Sequence, residues 1–550
     1  MIIGSRLVSL SVLCVFSLVH VAAVARDFHL SVLHTNDVHA RLLPVDKSDQ
    51  TCNDDKWGKN ECFGGLARRA SKIKELRALK ENVLLLDAGD QFQGTLFYNH
   101  YRGQEAAQAM NLLSYDAMSV GNHEFDDGPA NLARFIVQTH FPVLAANIDT
   151  SLDADLNGLV KPYTVVEVGG ERIGIIGYIT EETAQLSSPG STIHFLNIES
   201  SVQAVVQKLR GEGINKIIAL SHAGVGRDMK VAAQVDGIDI IVAGHTHTLL
   251  SNDDPATEGP TPIVVNSPSN TPVLIVSAYA YGKYLGYLDV DFNEQGVPIR
   301  YQSKPILLDE SIPEDASVKA WVLQMRVPLD GLRNEIVAHL DNDLDGSSVH
   351  CRHQECTLGN ASADAVLATV KPYGALAAII NSGGIRASLA MGDVSRSQVV
   401  DALPFLNQVS VFDMQGKDIW SLFEHSVSRA EDHRNEGTGR FLQVAGFHVV
   451  WDPTKPAMSR VIAIDIQSQS GIYTPVNSEL DYRIAANRFI SNGGDGYSVL
   501  LSAGKNIKFL SETTQECFVN YLQHSSRQNM GQVEGRIQRI SQSANSIINN

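Results

Sequence analysis

Five short apolar runs in the first half of the chain each end in side chains able to hold a metal ion. Residues 28–33 lead to Asp37 and His39, and residues 83–86 to Asp87-Ala88-Gly89-Asp90. The run ending at Val120 leads to Gly121-Asn122-His123-Glu124, residues 217–220 to Ser221-His222, and residues 238–242 to Gly244-His245-Thr246-His247. One histidine or aspartate in such a place is ordinarily a structural or turn residue. Five clusters together are hard to explain as turns. Neutral imidazole with carboxylate is a donor set for zinc, manganese or iron. There are enough donors here for two ions that share one carboxylate.

Residues this far apart in sequence meet only if the runs are strands whose carboxyl ends open on one crevice. The pattern over 28–300 fits. Apolar, β-branched runs at 28–33, 83–86, 173–176, 217–220 and 238–242 alternate with helix-like stretches such as 65–79 and 201–211. Strands are also expected at 274–278 and 284–291. Continuous apolar strands between helices imply α/β sheets covered on both faces. Residues 312–338 form a charged, helix-capable run, read as a linker helix. Mixed α and β resumes over 339–546, with glycine-rich loops at Asn381-Ser382-Gly383-Gly384 and Ser491-Asn492-Gly493-Gly494-Asp495-Gly496. The expected division is therefore 1–25, 26–311, 312–338 and 339–546.

Composition agrees with a folded protein. The 550 residues are 44% apolar and 19% charged, with a net charge of −17. That balance excludes a protein built to coat nucleic acid, which needs surplus cations. Arg6 and the apolar residues 7–21, followed by Ala23-Val24-Ala25, read as a secretory signal cleaved after Ala25; a membrane anchor is the alternative. No second apolar stretch of roughly 18 residues appears. The C-terminus is polar where a lipid-anchor signal would be greasy, so a secreted, extracellular product without a membrane anchor is expected. Cys14 leaves with the signal. In an oxidising compartment Cys52–Cys62 and Cys351–Cys356 are the economical local pairs, and Cys517 is left as a buried thiol or an intermolecular bridge. Asn360-Ala361-Ser362 is a glycosylation sequon at the start of a helix-like segment, open to use or burial.

The order Asp37-Val38-His39, Gly89-Asp90, Gly121-Asn122-His123-Glu124, His222, Gly244-His245-Thr246-His247 resembles the calcineurin-like metallophosphoesterases. Leu33-His34-Thr35-Asn36-Asp37-Val38-His39 and Gly121-Asn122-His123-Glu124-Phe125-Asp126 are similar to the 5'-nucleotidase/apyrase family, as are Cys351-Arg352, the stretch from Asn381 to Arg386, Leu403-Pro404-Phe405 and the stretch from Asn492 to Tyr497. The resemblance implies a two-domain α/β architecture. A four-layered α/β/β/α metallophosphoesterase domain would be followed by the linker helix and a mixed α/β substrate-binding domain. It implies that Asp37, His39, Asp90 and His247 hold one divalent ion. Asp90, Asn122, His222 and His245 would hold a second, Asp90 bridging. Zinc is the expected metal, with calcium, manganese or magnesium as alternatives. Two cations roughly 3.5–4 Å apart can activate water and clamp an in-line displacement at phosphorus. His123 and Asp126 would be the catalytic pair, Asp126 orienting the imidazole.

By the same resemblance, Arg352 and Arg386 grip phosphate, where guanidinium geometry is apt. Phe405 and Phe489 would sandwich the base, Asn381 would contact it, and Asp495 would accept from the ribose; core packing is the plain alternative for both phenylalanines. Arg41 would touch phosphate or form a surface salt bridge. The family closes by domain rotation, which makes 312–338 the natural hinge region. The implied partners are nucleotides. The absent lipid tail and His247 favour a secreted apyrase, like those in the saliva of blood-feeding arthropods. Such an enzyme takes ATP and ADP to AMP and would suppress platelet aggregation. The complete Asn381-Ser382-Gly383-Gly384-Ile385-Arg386 instead matches AMP-hydrolysing members. A phosphoesterase acting on nucleotide sugars or cyclic phosphates, and a non-catalytic nucleotide-scavenging binder, are the further alternatives.

Overall fold

The computed structural model describes residues 27–540 apart from residue 256, residues 432–438 and residues 525–529. The signal expected over 1–25 and the polar end 541–550 lie outside the described residues.

The first lobe stacks two six-stranded sheets. One has the order Pro298–Leu307, Tyr284–Phe292, Phe28–Thr35, Val83–Asp87, Ala117–Ser119, Val143–Leu144. The other runs Ile263–Asn266, Pro272–Val276, Ile240–Ala243, Lys216–His222, Glu171–Ile179, Tyr163–Val168. Strand alternation explains the layering. Leu30, Val32, Leu84 and Leu86 point inward and meet Ile173, Ile175, Ile218, Leu220 and Val242 of the facing sheet. Leu33 and Leu85 point outward, to Ile73 and Leu76 of the helix Leu66–Leu79 and Met110 of the helix Gln104–Leu113. On the other side Ile217, Ala219 and Ile241 pack on Val202 and Val206 of Ile198–Gly211 and Val231 of Val225–Gln234. The layers are α/β/β/α. The central strands Phe28–Thr35, Val83–Asp87 and Ala117–Ser119 are parallel, as are Glu171–Ile179, Lys216–His222 and Ile240–Ala243, so their carboxyl ends share one edge of the sandwich. The strand expected over 238–242 starts two residues later, at Ile240.

Residues 312–338 do hold a helix, Ala316–Arg326, but it is docked rather than free. Asp315 caps it by accepting from the Ser317 and Val318 amides, a cap worth about 1 kcal/mol. Val318 and Val322 enter the core shared with the helix Leu66–Leu79, so this helix is part of the first lobe's surface.

The second lobe has a five-stranded sheet, ordered Leu442–Ala445, Ala377–Asn381, Asp481–Asn487, Gln408–Gln415, Lys505–Thr513. A four-stranded sheet lies beside it, ordered Tyr473–Pro475, Val461–Gln467, Phe447–Trp451, Ile537–Arg539. The helices Thr357–Val370 and Thr514–His524 build one core with the five-stranded sheet, and Gly416–Val427 another with both sheets. Cys52–Cys62 and Cys351–Cys356 are disulfides, and Cys517 is a buried thiol. Asn360 is 4% exposed and donates to Glu355, so the sequon is buried and closed to a glycan. Among the described residues no helix is long and apolar enough to cross a membrane.

The lobes meet at a buried ion pair. Arg41 Nη1 lies 3.3 Å from Asp401 Oδ1, both side chains fully covered. Asp401 also accepts from the Thr51 amide at 2.6 Å, and Gln398 donates to Gln50 at 3.2 Å. Arg41 stands over the Tyr281 ring at 5.1 Å and donates to the Gly94 carbonyl. The phosphate contact or surface salt bridge expected for Arg41 is therefore corrected: its charge is spent inside the seam between the lobes.

Candidate active site

The strand ends hold their side chains through backbone contacts between loops. After Phe28–Thr35 the chain runs beside the loop that follows Val83–Asp87: Asp37 N donates to Gly89 O at 2.9 Å, His39 N to Asp90 O at 3.0 Å and Ala40 N to Gln91 O at 2.9 Å. The turns are tight. Asp37, His39, Asp90, His245 and His247 all have left-handed backbone, with φ between 51° and 78°. Non-glycine residues seldom stay there unless surrounding structure compels it, and such strain collects at functional sites. Gly89 and Gly121 make room: a Cβ on Gly89 would stand 2.8 Å from His222 Nδ1, and one on Gly121 2.3 Å from Asp90 Oδ1.

Two donor clusters result. Asp37, His39 and His247 bring one ligand atom each within 4.8 Å of one another, and so do Asp90, His222 and His245. His39 Nε2 is 3.1 Å from His247 Nε2, and His247 Nε2 is 3.5 Å from Asp37 Oδ1. In the second cluster Asp90 Oδ2 and Asn122 Oδ1 each lie 3.1 Å from His222 Nε2. Asp90 Oδ2 is also 3.9 Å from His39 Nε2, so this carboxylate stands between the clusters.

The donors have the chemistry of a cation site. His39 Nδ1 is bonded to Phe92 O at 3.0 Å and His222 Nδ1 to Ala88 O at 2.6 Å. A carbonyl on Nδ1 fixes the tautomer that leaves Nε2 as a ligand. Burial, then the nearby Arg386 charge, holds both His39 and His247 well below the usual imidazole value, so both rings are neutral donors. Burial pushes Asp37 up to about 8. Against burial, His222 and His123 draw Asp90 well below the carboxylate range.

His123 lies beside the second cluster, its Nε2 3.9 Å from Asp90 Oδ2. Its Nδ1 is 2.7 Å from Asp126 Oδ2, and its amide donates to Asp90 Oδ1 at 2.9 Å. A cavity of about 220 Å³ opens here. Asn122, His123 and Asp126 line it from the first lobe; Arg352, Asn381, Arg386, Phe405, Phe489 and Asp495 line it from the second. Apart from Arg41, every residue expected to touch substrate faces this one space. Arg386 Nη2 comes within 3.2 Å of His39 Nε2. The Phe405 ring lies 5.5 Å from that of His123. Phe489 both borders the core of the second lobe and faces the cavity. Asn381 donates to Asp495 at 2.6 Å and accepts from Asn487 at 2.8 Å, leaving one N–H of its amide for a ligand.

The bracing role of Glu124 escaped the sequence reading, which placed it only among the metal-competent strand ends. Its buried carboxylate accepts from the amides of Asp90, Gln91, Phe92 and Gly121 at 2.7–3.1 Å, lacing two ligand loops together. Its position inside Gly121-Asn122-His123-Glu124 was the available signal, since an acid amid ligands has a partner to find. Asn487 and Ser187, which fix Asn381 and Asp126, carried no such signal.

The sequence pattern of calcineurin-like phosphoesterases matches residues 30–249, and that of the 5'-nucleotidase C-terminal domain matches residues 336–502. The chain is 38% identical over 506 residues to the snake venom 5'-nucleotidase of Crotalus adamanteus, covering 88% of this chain and 84% of that one. It is also 38% identical over 496 residues to the 5'-nucleotidase of Homo sapiens, covering 86% and 85%. Its fold is similar to the crystal structure of a 5'-nucleotidase precursor from Thermus thermophilus, with a TM-score of 0.87, 40% identity, and coverage of 93% of this chain and 99% of that one.

Proposed function

The chain belongs to the 5'-nucleotidase family and is a hydrolase of nucleotides, and from that premise we propose that it cleaves nucleoside 5'-monophosphates to nucleoside and phosphate outside the cell. The observation that supports the reading is one cavity with Asn122 and the His123–Asp126 pair on its first-lobe side and two arginines with two phenylalanines across from them, the donor clusters adjoining it through Asp90 beside His123 and His39 beside Arg386. The 5'-nucleotidase names of the relatives favour the monophosphate over the apyrase reading. Two disulfides suit an oxidising, extracellular setting.

Asp37, His39, Asp90 and His247 would hold one divalent ion, and Asp90, Asn122, His222 and His245 the second. Imidazole and carboxylate donors favour zinc. Bound there, the ions supply positive charge that polarises the phosphoryl group and acidifies water. Arg352 and Arg386 grip the phosphate from the opposite side. His123, its Nδ1 tied to Asp126, turns Nε2 toward the phosphoryl group, where it stabilises oxygen charge or protonates the departing 5' oxygen. Phe405 and Phe489 take the base between them, Asp495 accepts from the ribose, and the remaining Asn381 N–H meets an acceptor on the base edge.

Phosphate release from AMP, ADP and ATP by the purified protein, with and without a chelator, tests this. AMP turnover abolished by chelation is expected. Turnover of ATP and ADP that halts at AMP would make the protein an apyrase, and tight nucleotide binding without any release would make it a binder.

A further inference from the structure

We infer that Ser187 is a positioning residue for this reaction, holding Asp126 so that His123 keeps its productive orientation, and that it does so from a segment braced on the nucleoside wall of the second lobe. The inference rests on the nucleotidase reading and adds a residue to it.

Asp126 has two carboxylate oxygens and both are engaged. Oδ2 faces His123 Nδ1 at 2.7 Å, and Oδ1 accepts from the Ser187 hydroxyl at 2.6 Å. With one bond alone the carboxylate could rotate about its last torsion and carry the imidazole with it. With two bonds the plane of the carboxylate is set, and so is the direction of the ring. Errors of about 1 Å in such a group reduce turnover by about two orders of magnitude.

The segment that carries Ser187 is anchored at both ends of its short path. Its foot is Thr180, directly after Glu171–Ile179, whose amide donates to His222 O at 2.9 Å. Thr183 then donates its hydroxyl to Thr180 O at 2.7 Å and starts a single helical turn, Thr183–Leu186. That turn packs against Gly494–Gly496 of the second lobe, the turn that presents Asp495. Beside it Glu182 accepts from Arg429 at 2.7 Å across the seam. This pair is more than a third exposed on each side and contributes little by itself. The packed turn does the bracing. Leu186 and Ser188 flank Ser187 and line the same cavity as Phe489 and Asp495. One segment therefore touches a donor strand, the catalytic pair and the ribose-facing turn.

The competing account makes Ser187 a fastener for its own segment, which predicts lost stability with turnover intact. The experiment uses the full-length protein, with kcat and KM for AMP and for an aryl phosphate lacking a nucleoside. Ser187→Ala should lower kcat roughly tenfold on both substrates, the scale of one hydrogen bond to a charged group, with KM and melting temperature unchanged. Ser187→Thr, which keeps the hydroxyl, should recover most of the loss. In an Asp126→Ala background Ser187→Ala should cost nothing more, because the path through Asp126 is already cut. Unchanged kcat in Ser187→Ala, a melting-temperature drop with turnover intact, or a further multiplicative loss in the double variant would overturn the inference. A parent that turns over the aryl phosphate and not AMP would instead refute the nucleotide reading, and the aryl phosphate series would still decide the role of Ser187.

Discussion

The two walls of the cavity are built by different means. The first-lobe side is backed by a strained frame: five of the expected ligands adjoining the cavity sit in left-handed backbone, and the Nδ1 atoms of His39 and His222 are tied to carbonyls. The second-lobe wall is a set of longer side chains, Arg352, Arg386, Phe405 and Phe489, half-buried and set beside glycine-rich loops. A reaction at phosphorus punishes small displacements, so its wall is overdetermined. Holding a nucleoside rests on stacked area and ion pairing, which tolerate some play. On the proposed roles, the difference would write rate mainly into one lobe and nucleoside selectivity into the other.

Substitutions on each wall test that division. Asp90→Ala removes the carboxylate between the clusters. It should lower turnover on the order of 10³-fold or more, the scale of losing a preorganised charge-stabilising group, on AMP and an aryl phosphate alike. Metal analysis of the purified variant should show depleted ions; full metal content with full activity would break the comparison at its root. Asp126→Asn should leave the metal content intact and lower kcat about 10²-fold, since His123 loses the partner that orients it. Equal turnover would remove Asp126 from the mechanism. Phe489→Ala belongs to the other wall. Loss of one stacked face costs about 1–3 kcal/mol, so KM for AMP should rise while the aryl phosphate is spared. Equal loss on both substrates would make Phe489 a packing residue and blur the division.

The smallest effect concerns stability. The first lobe holds several buried acids: burial pushes Glu105 and Asp239 up to about 8 and Asp228 up to about 7, and in the second lobe it raises Asp401. A carboxyl raised by folding stabilises fully below its unfolded value, 4.5 for Glu105, and that contribution is lost as pH climbs toward 8. Glu105→Gln should therefore narrow the difference between urea midpoints measured at pH 5 and pH 8. A difference of unchanged size would mean Glu105 ionises as freely folded as unfolded.

Much of the first-lobe wall was legible in the sequence because parallel strands send their carboxyl ends to one edge. Once 28–33, 83–86 and 217–220 read as strands, Asp37, His39, Asp90 and His222 had to be neighbours. That the sheets are covered on both faces was legible from their continuous apolar runs, Leu30 and Leu33 facing opposite cores, whereas the four-layer order came from the resemblance. What stayed hidden depended on pairings across long stretches of chain. Arg41 lies two residues past the expected ligand His39, and its burial against Asp401 is visible only in the fold. The sequon at Asn360 reads identically on a surface or, as here, under Glu355. Ser187 is one serine among many until Asp126 is seen beside it. The helix Ala316–Arg326 has the composition of a linker, yet Val318 and Val322 dock it.

The fully covered pair Arg41–Asp401 has a consequence for how anything leaves the cavity. Any parting of the lobes at that seam exposes a guanidinium and a carboxylate to solvent together. Water must flood this dry contact before the gap widens, and must be expelled again before it shuts. Were product to escape by such a parting, hydration of two hidden charges would add to its barrier.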